Sequence, residues 1–190
     1  AIVFTAPEIV FDNIRKCIDA GVPVVSGSTG WLDRYDEACA YCDAKNGALL
    51  YASNFSIGVN IFFALNKKLA QLMKPHGNYD VAMKEIHHTT KKDAPSGTAI
   101  TLAEDILNIS PQKEKWVNAT SQDEKELVIL SERIDPAPGT HIITYTSDID
   151  DIEIMHTAHS RKGFAAGAVL AAEFLRGKRG IFSMRDVLNI

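Results

Sequence analysis

The chain has 190 residues, of which 46% are hydrophobic and 23% are charged, and its formal net charge is −4. This composition is typical of a globular protein with one ordinary domain, or with a small domain plus part of another. Charges of both signs are mixed along the chain, which disfavours nucleic acid as the main partner. No stretch approaches the ~18 consecutive apolar residues of a membrane-spanning helix, so we expect no membrane partner.

The sequence contains three cysteines, Cys17, Cys39 and Cys42. An odd number argues against the disulfide framework of a small secreted protein. Cys39 and Cys42 form a Cys-x-x-Cys pair inside a helical run, without the second pair of ligands that a zinc site needs. We therefore interpret them as ordinary helix residues, expect no bound metal, and favour the reducing cytoplasm as the location.

The first part of the chain alternates between predicted strands and helices. Short apolar runs at 1–5, 22–27 and 48–53 predict strands. The segments between them carry apolar residues at helical spacing, and the second of these helices is predicted over about Leu32–Lys45. Strands that alternate with helices of this length indicate βαβ units and a parallel sheet.

The later part follows a different pattern. Residues 57–73 predict a long amphipathic helix and residues 80–88 a strand. Three further strands within 125–160 are joined by connections too short for crossovers, so we expect them to be antiparallel. A helix and a short segment with Ser183 as its predicted N-cap close the chain. The expected fold class is α/β plus α+β: the remainder of a Rossmann-like parallel-sheet domain, followed by a domain with a mostly antiparallel sheet.

Residues 84–99 read KEIHHTTKKDAPSGTA and concentrate reactive side chains in one loop. His87 and His88 are consecutive at a strand end, so their side chains point to opposite sides, and either can exchange protons near neutral pH. Lys91 lies among other cations. A lysine that is crowded in this way and partly buried has a lowered pKa, which makes it a usable acid.

The end of this loop predicts a helix start with an anion site. Ser96 is a natural N-cap, and the N–H groups that follow it, at the positive end of the helix dipole, suit a carboxylate or phosphate. Gly97 lets the backbone approach a ligand closely. The segment therefore predicts a cationic pocket for a small anionic substrate that needs a proton. For any one of these residues alone, a capped helix after a solvated loop is the simpler explanation.

The string resembles the signature of the dihydrodipicolinate reductase family, approximately E-x-H-H-x-x-K-x-D-x-P-S-G-T-A, with every fixed position in register. The resemblance implies that His87 is the catalytic donor/acceptor and Lys91 the proton donor. It implies that the substrate is bound by His88, Gly97 and Thr98. The implied reaction reduces 4-hydroxy-tetrahydrodipicolinate, a dicarboxylate, to tetrahydrodipicolinate, with loss of water and with hydride from NADH or NADPH.

Two further loops resemble the family's cofactor-binding loops. A Gly-Thr-Thr-Gly loop is matched by Gly27, Ser28, Thr29 and the glycine after them, with serine in place of the usual threonine. An Ala-x-Asn-Phe-Ser loop is matched by the residues Ala52, Ser53, Asn54, Phe55 and Ser56. Both loops follow predicted strands, at the ends where open α/β sheets bind ligands. Taken alone, either loop is equally well explained as a tight turn between a strand and a helix.

The resemblance extends over essentially the whole chain. It assigns 1–56 to the C-terminal part of a dinucleotide-binding domain and 57–190 to a substrate-binding and oligomerisation domain, with a return to the first domain by 160–190 left open. Arg161 matches a family position, and its guanidinium is expected to bind a substrate carboxylate. The family forms homotetramers, so a homotetramer is expected here.

The family's glycine-rich phosphate loop, Gly-x-x-Gly-x-Met-Gly, does not occur in the 190 residues. The first predicted strand resembles a later strand of the nucleotide domain. We therefore expect the chain to lack the start of that domain, and expect these 190 residues alone to bind a dinucleotide weakly or not at all.

Two other functions remain compatible with the sequence. The first is a truncated, non-catalytic module that binds a dicarboxylate and oligomerises. The second is a metal hydrolase that uses the four histidines His87, His88, His156 and His159, which stoichiometric zinc in the purified protein would indicate.

Overall fold

The computed structural model describes all 190 residues, and the chain divides into two compact units. The first unit comprises Ala1–Asn60 together with Lys162–Ile190. The second unit comprises Ile61–Arg161, so the division falls inside the helix α3 (Ile57–Met73). No helix is long and apolar enough to cross a membrane.

The first unit is built on a four-stranded sheet in the order β1-β2-β3-β9, in which every pairing is parallel. Its strands are β1 (Ile2–Val3), β2 (Val24–Ser26), β3 (Ala48–Tyr51) and β9 (Gly180–Phe182). Its helices are α1 (Pro7–Asp19), α2 (Tyr35–Ala44), α5 (Lys162–Phe174) and α6 (Met184–Leu188), together with the first residues of α3 (Ile57–Met73). The predicted parallel sheet is therefore confirmed.

Two sets of apolar residues form the core of the first unit. One includes Val10, Ile14 and Leu49 and packs beneath α1 and α2, and the other includes Leu50 and Leu175 beneath α5 and α6. The central strands are thus buried by helices, as parallel sheets require. The two polar residues of α5, Lys162 and Glu173, are exposed.

The second unit contains a five-stranded mixed sheet in the order β5-β6-β4-β7-β8. Its strands are β4 (Asp80–His87), β5 (Lys115–Val117), β6 (Glu126–Arg133), β7 (Gly139–Thr146) and β8 (Asp151–Ala158). Its other elements are the rest of α3 and the helix α4 (Gly97–Leu107). The longer pairings β4–β7 and β7–β8 are antiparallel, so the expected mostly antiparallel sheet is confirmed.

The helices α3 and α4 cover one face of this sheet. Phe62, Met73, Leu102 and Ile106 from the two helices pack on inward residues of the strands such as Ile129. Burial of this kind contributes roughly 1.5–3 kcal/mol for each large apolar side chain. The positions of the sheet residues that bear on function are fixed by this packing.

Several details of the predicted elements are wrong. The strand β6 does not pair with β7 but runs parallel to β4 and β5, because α4 forms a crossover connection between β4 and β6. The strands β5 and β9 were not predicted, since each has only three residues. The helix predicted from about Leu32 starts as a 3-10 turn, Leu32–Arg34, before α2 begins.

Candidate active site

The strand β4 carries two polar side chains into the buried face of its sheet. Its burial alternates strictly, and the inward positions are Val81, Met83, Glu85 and His87. Glu85 is completely buried and His87 is 7% exposed. On the neighbouring strand β7, His141 lies directly opposite Glu85 in the register and is also buried. Because side chains alternate along a strand, the sheet brings these three groups together on one face.

The carboxylate of Glu85 is the centre of a buried polar cluster. It accepts hydrogen bonds from the backbone N–H of Ser96, at 3.1 Å to each oxygen, and from the Ser131 hydroxyl at 2.8 Å. The Arg133 guanidinium lies 3.4 Å from Oε1. Oε2 lies 3.5 Å from Nδ1 of His87 and 3.7 Å from Nε2 of His141. A buried charge that is paired in this way avoids most of the cost of losing its hydration.

The surroundings also fix the charge states of this cluster. Burial alone raises the pKa of Glu85, but the hydrogen bonds from Ser96 and Ser131 outweigh it and hold that pKa below its ordinary value. Burial lowers the pKa of His87, against the opposing effect of Glu85. Burial, with the nearby His87, lowers the pKa of His141 to about 4. At neutral pH the cluster therefore holds an ionised carboxylate and neutral histidines.

Lys91 lies on the loop after β4 and is partly buried. Its Nζ donates to both carboxylate oxygens of Asp93 at 2.8 Å, so its nearest charged partner is an anion. The positive charge of Lys91 contributes to lowering the pKa of His87, which places the two groups within electrostatic reach of each other. Arg133 ties this loop to β6 by donating to the backbone oxygen of Asp93 at 2.6 Å.

The helix α4 begins where the sequence predicts. Ser96 is its N-cap, and the Ser96 hydroxyl accepts a hydrogen bond from the backbone N–H of Ala99 at 3.2 Å. No atom lies within 4 Å of the place where a Cβ on Gly97 would be, so the first turn opens onto free space at this residue. Thr98 follows on the same turn. The positive end of this 11-residue helix thus faces outward beside the polar cluster.

His88 and Arg161 also lie close together. Nη2 of Arg161 is 3.3 Å from Nε2 of His88, and Nδ1 of His88 is 2.7 Å from the Thr90 hydroxyl. His87 and His88 therefore do point to opposite sides of the strand, with His88 on the more accessible one. The structure brings Arg161 to the end of β4 from a position 73 residues later in the sequence.

In the first unit, the residues Gly27–Gly30 connect β2 to the 3-10 turn. The hydroxyl of Ser28 accepts from the backbone N–H of Thr5 at 2.8 Å, and its carbonyl accepts from Nε1 of Trp31 at 2.9 Å. Ser28 is buried, whereas the next residue, Thr29, is exposed. A Cβ at Gly27 would lie 2.1 Å from Cε1 of Phe4, so only glycine permits this packing.

The second loop, Ala52–Ser56, follows β3. Asn54 accepts the backbone N–H of Ser56 through its side chain at 2.9 Å and the side-chain amide of Asn60 through its carbonyl, which holds the loop in one turn. Phe55 is 2% exposed, and its carbonyl oxygen lies 1.8 Å from the place where a Cβ on Gly167 would be. Ser53 is exposed. The ring of Phe55 thus belongs to the core and only part of the loop can face a ligand.

These two loops lie at an edge of the sheet that is open to a ligand. They lie at the carboxyl ends of the paired strands β2 and β3, the edge at which open parallel sheets bind ligands. Small exposed residues, Thr29 and Ser53, leave room there for a flat ring and offer hydroxyl groups to a carboxamide. No Gly-x-x-Gly-x-Met-Gly sequence for a pyrophosphate is present in these residues.

Sequence reasoning missed that Glu85 lies at the centre of a buried polar cluster, and it missed His141 altogether. A signal for His141 was in the sequence, since a histidine at an inward position in the otherwise apolar series His141, Ile143, Tyr145 is unusual. The group of ligand-type side chains within 4.8 Å of one another consists of Glu85, His87 and His141. It contains only one of the four histidines on which a metal hydrolase was hypothesised, so the structure offers that hypothesis no support.

The chain matches two family models along nearly its full length. Residues 1–55 match the model described as the N-terminus of dihydrodipicolinate reductase, and residues 58–188 match the model of its C-terminus. A curated 4-hydroxy-tetrahydrodipicolinate reductase from Christiangramia forsetii is 52% identical over 189 residues, which cover 100% of this chain and 79% of that protein. The enzyme of the same name from Neisseria meningitidis serogroup B is 33% identical, over 98% of this chain and 71% of its own.

Solved structures with the same fold include a dipicolinate-bound dihydrodipicolinate reductase from a Paenisporosarcina species. Its TM-score is 0.75 at 23% identity, over 96% of this chain and 70% of that one. An amine dehydrogenase from Mycobacterium smegmatis has a TM-score of 0.54 at 9% identity, over 96% of this chain and 73% of that one. At these identities the likeness concerns the fold alone.

Proposed function

Because the chain belongs to the dihydrodipicolinate reductase family of NAD(P)H-dependent oxidoreductases, we propose that it reduces 4-hydroxy-tetrahydrodipicolinate to tetrahydrodipicolinate in lysine and diaminopimelate synthesis. In this reaction the substrate gains a hydride and a proton and loses water. The observation that carries the proposal is the buried Glu85 cluster, which connects a neutral histidine to the N-terminus of α4. It supplies a proton-transfer group and an anion site within one unit.

The two substrate carboxylates require separate cationic partners. One is bound by the first turn of α4, where Gly97 and Thr98 lie at the positive end of the helix and Gly97 has open space beside it. The other is bound by Arg161, whose guanidinium can form two parallel hydrogen bonds with a carboxylate, assisted by the adjacent His88. This pairing favours a small dicarboxylate over a monocarboxylate.

His87 and Lys91 are the residues that transfer protons. His87 is neutral at physiological pH because burial lowers its pKa, so it can accept a proton and return it. Lys91 carries a proton on an ammonium group whose charge is balanced by Asp93 in the free protein. When a substrate carboxylate binds nearby, Lys91 acts as the proton donor.

The cofactor, NADH or NADPH, supplies the hydride when bound. The loop residues Gly27, Ser28 and Thr29 and the loop Ala52–Phe55 shape the place for its nicotinamide ring. Of these, the exposed hydroxyls of Thr29 and Ser53 make direct contact, while Ser28 and Phe55 hold the loops in position from the buried side.

The test is a binding and turnover measurement on the purified protein. Pyridine-2,6-dicarboxylate is expected to bind in calorimetry, and pyridine-2-carboxylate, which lacks one carboxylate, at least tenfold more weakly. With the proposed substrate, the absorbance of NADH or NADPH is expected to fall. Failure of the dicarboxylate to bind would contradict the proposal.

We also propose a homotetramer in the cytoplasm. Helices cover only one face of the sheet in the second unit. Across its other face, Leu130, Lys84, Ile142 and Met155 form a row through four strands, with Leu130 40% and Met155 60% exposed. Such a row favours sheet-to-sheet association. The three free cysteines fit a reducing compartment. Light scattering should report four chains, and Met155→Glu should lower that number.

A further inference from the structure

The proposed chemistry leaves Glu85 without a role, although it is the most completely buried charged residue of the site. The partners of its two carboxylate oxygens lie on four elements: the start of α4, the strand β6 through Ser131 and Arg133, β7 through His141, and β4 itself through His87. Burying an ion costs several kcal/mol unless its partners are well placed. A leucine or methionine would fill such a position at lower cost, so the charge has a consequence that an apolar residue would not provide.

That consequence is visible at His87. Nδ1 of His87 is buried and makes no hydrogen bond, and the carboxylate oxygen Oε2 of Glu85 lies 3.5 Å from it. If Nδ1 were bare, its lone pair would face an anionic oxygen, and the two would repel each other. If Nδ1 carries the proton, the positive end of the N–H bond lies near the negative charge, which favours this tautomer. The distance is too long for an ordinary hydrogen bond, so the stabilisation is electrostatic in the free protein; contacts at active sites often shorten when a ligand binds.

The opposite ring nitrogen of His87 is left as the basic atom. A Cβ at Gly139 would lie 3.1 Å from Nε2 of His87, so the glycine provides the space in which this nitrogen sits. With Nδ1 protonated, Nε2 is an acceptor that can take a proton and give it back. The tautomer of the proton-transfer residue is thus set by a carboxylate on the far side of its ring.

His141 completes the arrangement from the adjacent strand. Its Nε2 lies 3.2 Å from the Ser96 hydroxyl and 3.7 Å from Glu85, while its Nδ1 is buried without a partner. A buried N–H without a partner is less tolerable than a bare acceptor, so the proton belongs on Nε2, which then donates toward Ser96 or Glu85. The His141 ring also stacks edge-on against His87, with centroids 5.2 Å apart.

We propose that Glu85 is a positioning residue that fixes His87 in its Nδ1–H tautomer and, through the backbone N–H of Ser96, holds the N-terminus of α4 at a set distance from that histidine. The single carboxylate of Glu85 would then fix the distance between the proton-transfer group, His87, and the site for the substrate carboxylate at the start of α4. This inference rests on the proposed function for its catalytic meaning, but the tautomer of His87 is a property of the free protein.

The first experiment needs no variant. Nitrogen-15 NMR of the histidine side chains in the unliganded protein reports which ring nitrogen of His87 carries the proton. The Nδ1–H form is expected to predominate at neutral pH. A predominant Nε2–H form would overturn the inference, and this spectrum decides the question even if a substitution at Glu85 prevents folding.

The second experiment compares Glu85→Gln with Glu132→Gln. Glu132 lies on β6 opposite Ile86, pairs with Lys84 on the other face of the sheet, and is a matched control of equal charge change. In Glu85→Gln, the His87 tautomer should shift toward Nε2–H, its pKa should fall because the nearby negative charge is gone, and kcat/KM should drop by about 10- to 100-fold. The control should retain the wild-type tautomer and kcat/KM.

The outcomes separate the two proposals. If the wild type binds pyridine-2,6-dicarboxylate but Glu85→Gln leaves the His87 tautomer and pKa as they were, the positioning role is wrong and the proposed function stands. If the tautomer depends on Glu85 but no dicarboxylate binds to the wild type, the proposed function fails while the inference about His87 holds. If Glu85 had only a structural role, Glu85→Gln would lower the free energy of unfolding without changing the tautomer of His87.

Discussion

The two units of the molecule hold their candidate functional groups by different means. All six histidines lie in the second unit and all three cysteines in the first. In the second unit, a side chain holds the groups together: the carboxylate of Glu85 on β4 connects the start of α4 and the strand β6 beside the buried His87. In the first unit, the candidate loops are held by hydrogen bonds between backbone and side chain, such as that from the N–H of Thr5 to the Ser28 hydroxyl, and by the packing of Phe55.

This difference matches what each unit has to provide. Proton transfer depends on charge states and tautomers, which a network of buried polar groups can set. A flat ring is bound mainly by shape, which small residues and packed aromatic rings can provide. We therefore expect substitutions in the second unit to change chemistry and pH dependence, and substitutions in the candidate loops of the first unit to change stability and cofactor binding.

The largest effect is expected from His87→Gln. Removing a proton-transfer group that acts in the transition state should lower kcat by about 10²- to 10⁴-fold, with little change in dicarboxylate affinity. His88→Gln is the comparison, and should raise KM with a smaller change in kcat, because His88 faces the other side beside Arg161. Steady-state kinetics measures both. Equal losses of kcat in the two variants would contradict the assignment.

The pH dependence of stability should differ between the units. The pKa of His141 is about 4 in the folded protein and near 6.5 when unfolded, so between these values the unfolded chain binds the extra proton. Its contribution is complete above about pH 6.5 and is lost as the pH falls toward 4, by at most about 3 kcal/mol. Hydrogen exchange, corrected for intrinsic rates, should show protection falling in the second unit first.

His141→Phe provides the control for this pH effect. Phenylalanine retains a buried ring of similar size and cannot be protonated. The loss of protection in the second unit between pH 6.5 and 4 should therefore become shallower. If the variant and the wild type lose protection in parallel, some other group controls the acid sensitivity.

Gly139→Ala tests how closely His87 is held. The added Cβ would lie 3.1 Å from Nε2 and 3.3 Å from Cδ2 of His87, so the ring must shift by a few tenths of an ångström. A displacement of this size should lower kcat/KM by about tenfold without unfolding the protein. Gly163→Ala, in α5, adds a Cβ at an ordinary 3.7 Å contact and should leave kcat/KM unchanged. Unchanged kinetics in Gly139→Ala would show that His87 has freedom to move.

The smallest effect is expected in the first unit, from Ser28→Ala. The backbone N–H of Thr5 loses its hydrogen-bond acceptor, which should lower the free energy of unfolding by about 1 kcal/mol. Thr29→Ala, at an exposed neighbouring position, should leave stability unchanged and raise KM for the cofactor. Urea unfolding and cofactor titration separate the two. If Ser28→Ala raises KM without a loss of stability, its hydroxyl contacts the ligand directly.

Local features of the fold could be predicted from the sequence. The N-cap at Ser96 and the opposite orientation of His87 and His88 depend only on neighbouring residues, because helix capping and strand alternation are local rules. The parallel sheet of the first unit followed from the alternation of apolar runs and helices. The family resemblance rested chiefly on the segment 84–99, with support from two further loops, and is confirmed by matches along the whole chain.

The pairing of strands was less predictable. The short turn between β6 and β7 suggested that they are neighbours, yet β4 lies between them. The helix α4 decides this, because a crossover through a helix delivers the next long strand parallel to the one before it. The three-residue strands β5 and β9 form only because longer neighbours offer them hydrogen-bonding edges.

What the sequence by itself determined is the family, the reactive segment and the local shape of its loop and helix. The tertiary structure alone decided that Glu85, His87 and His141 share one buried cluster. His141 is 54 residues beyond His87 in the chain, and it reaches Glu85 only through the register of β4 with β7. Register is a long-range property, since a shift of one residue would turn every inward side chain outward. The candidate proton-transfer residues could therefore be identified from one segment, but their charged and polar neighbours are set by the pairing of distant strands.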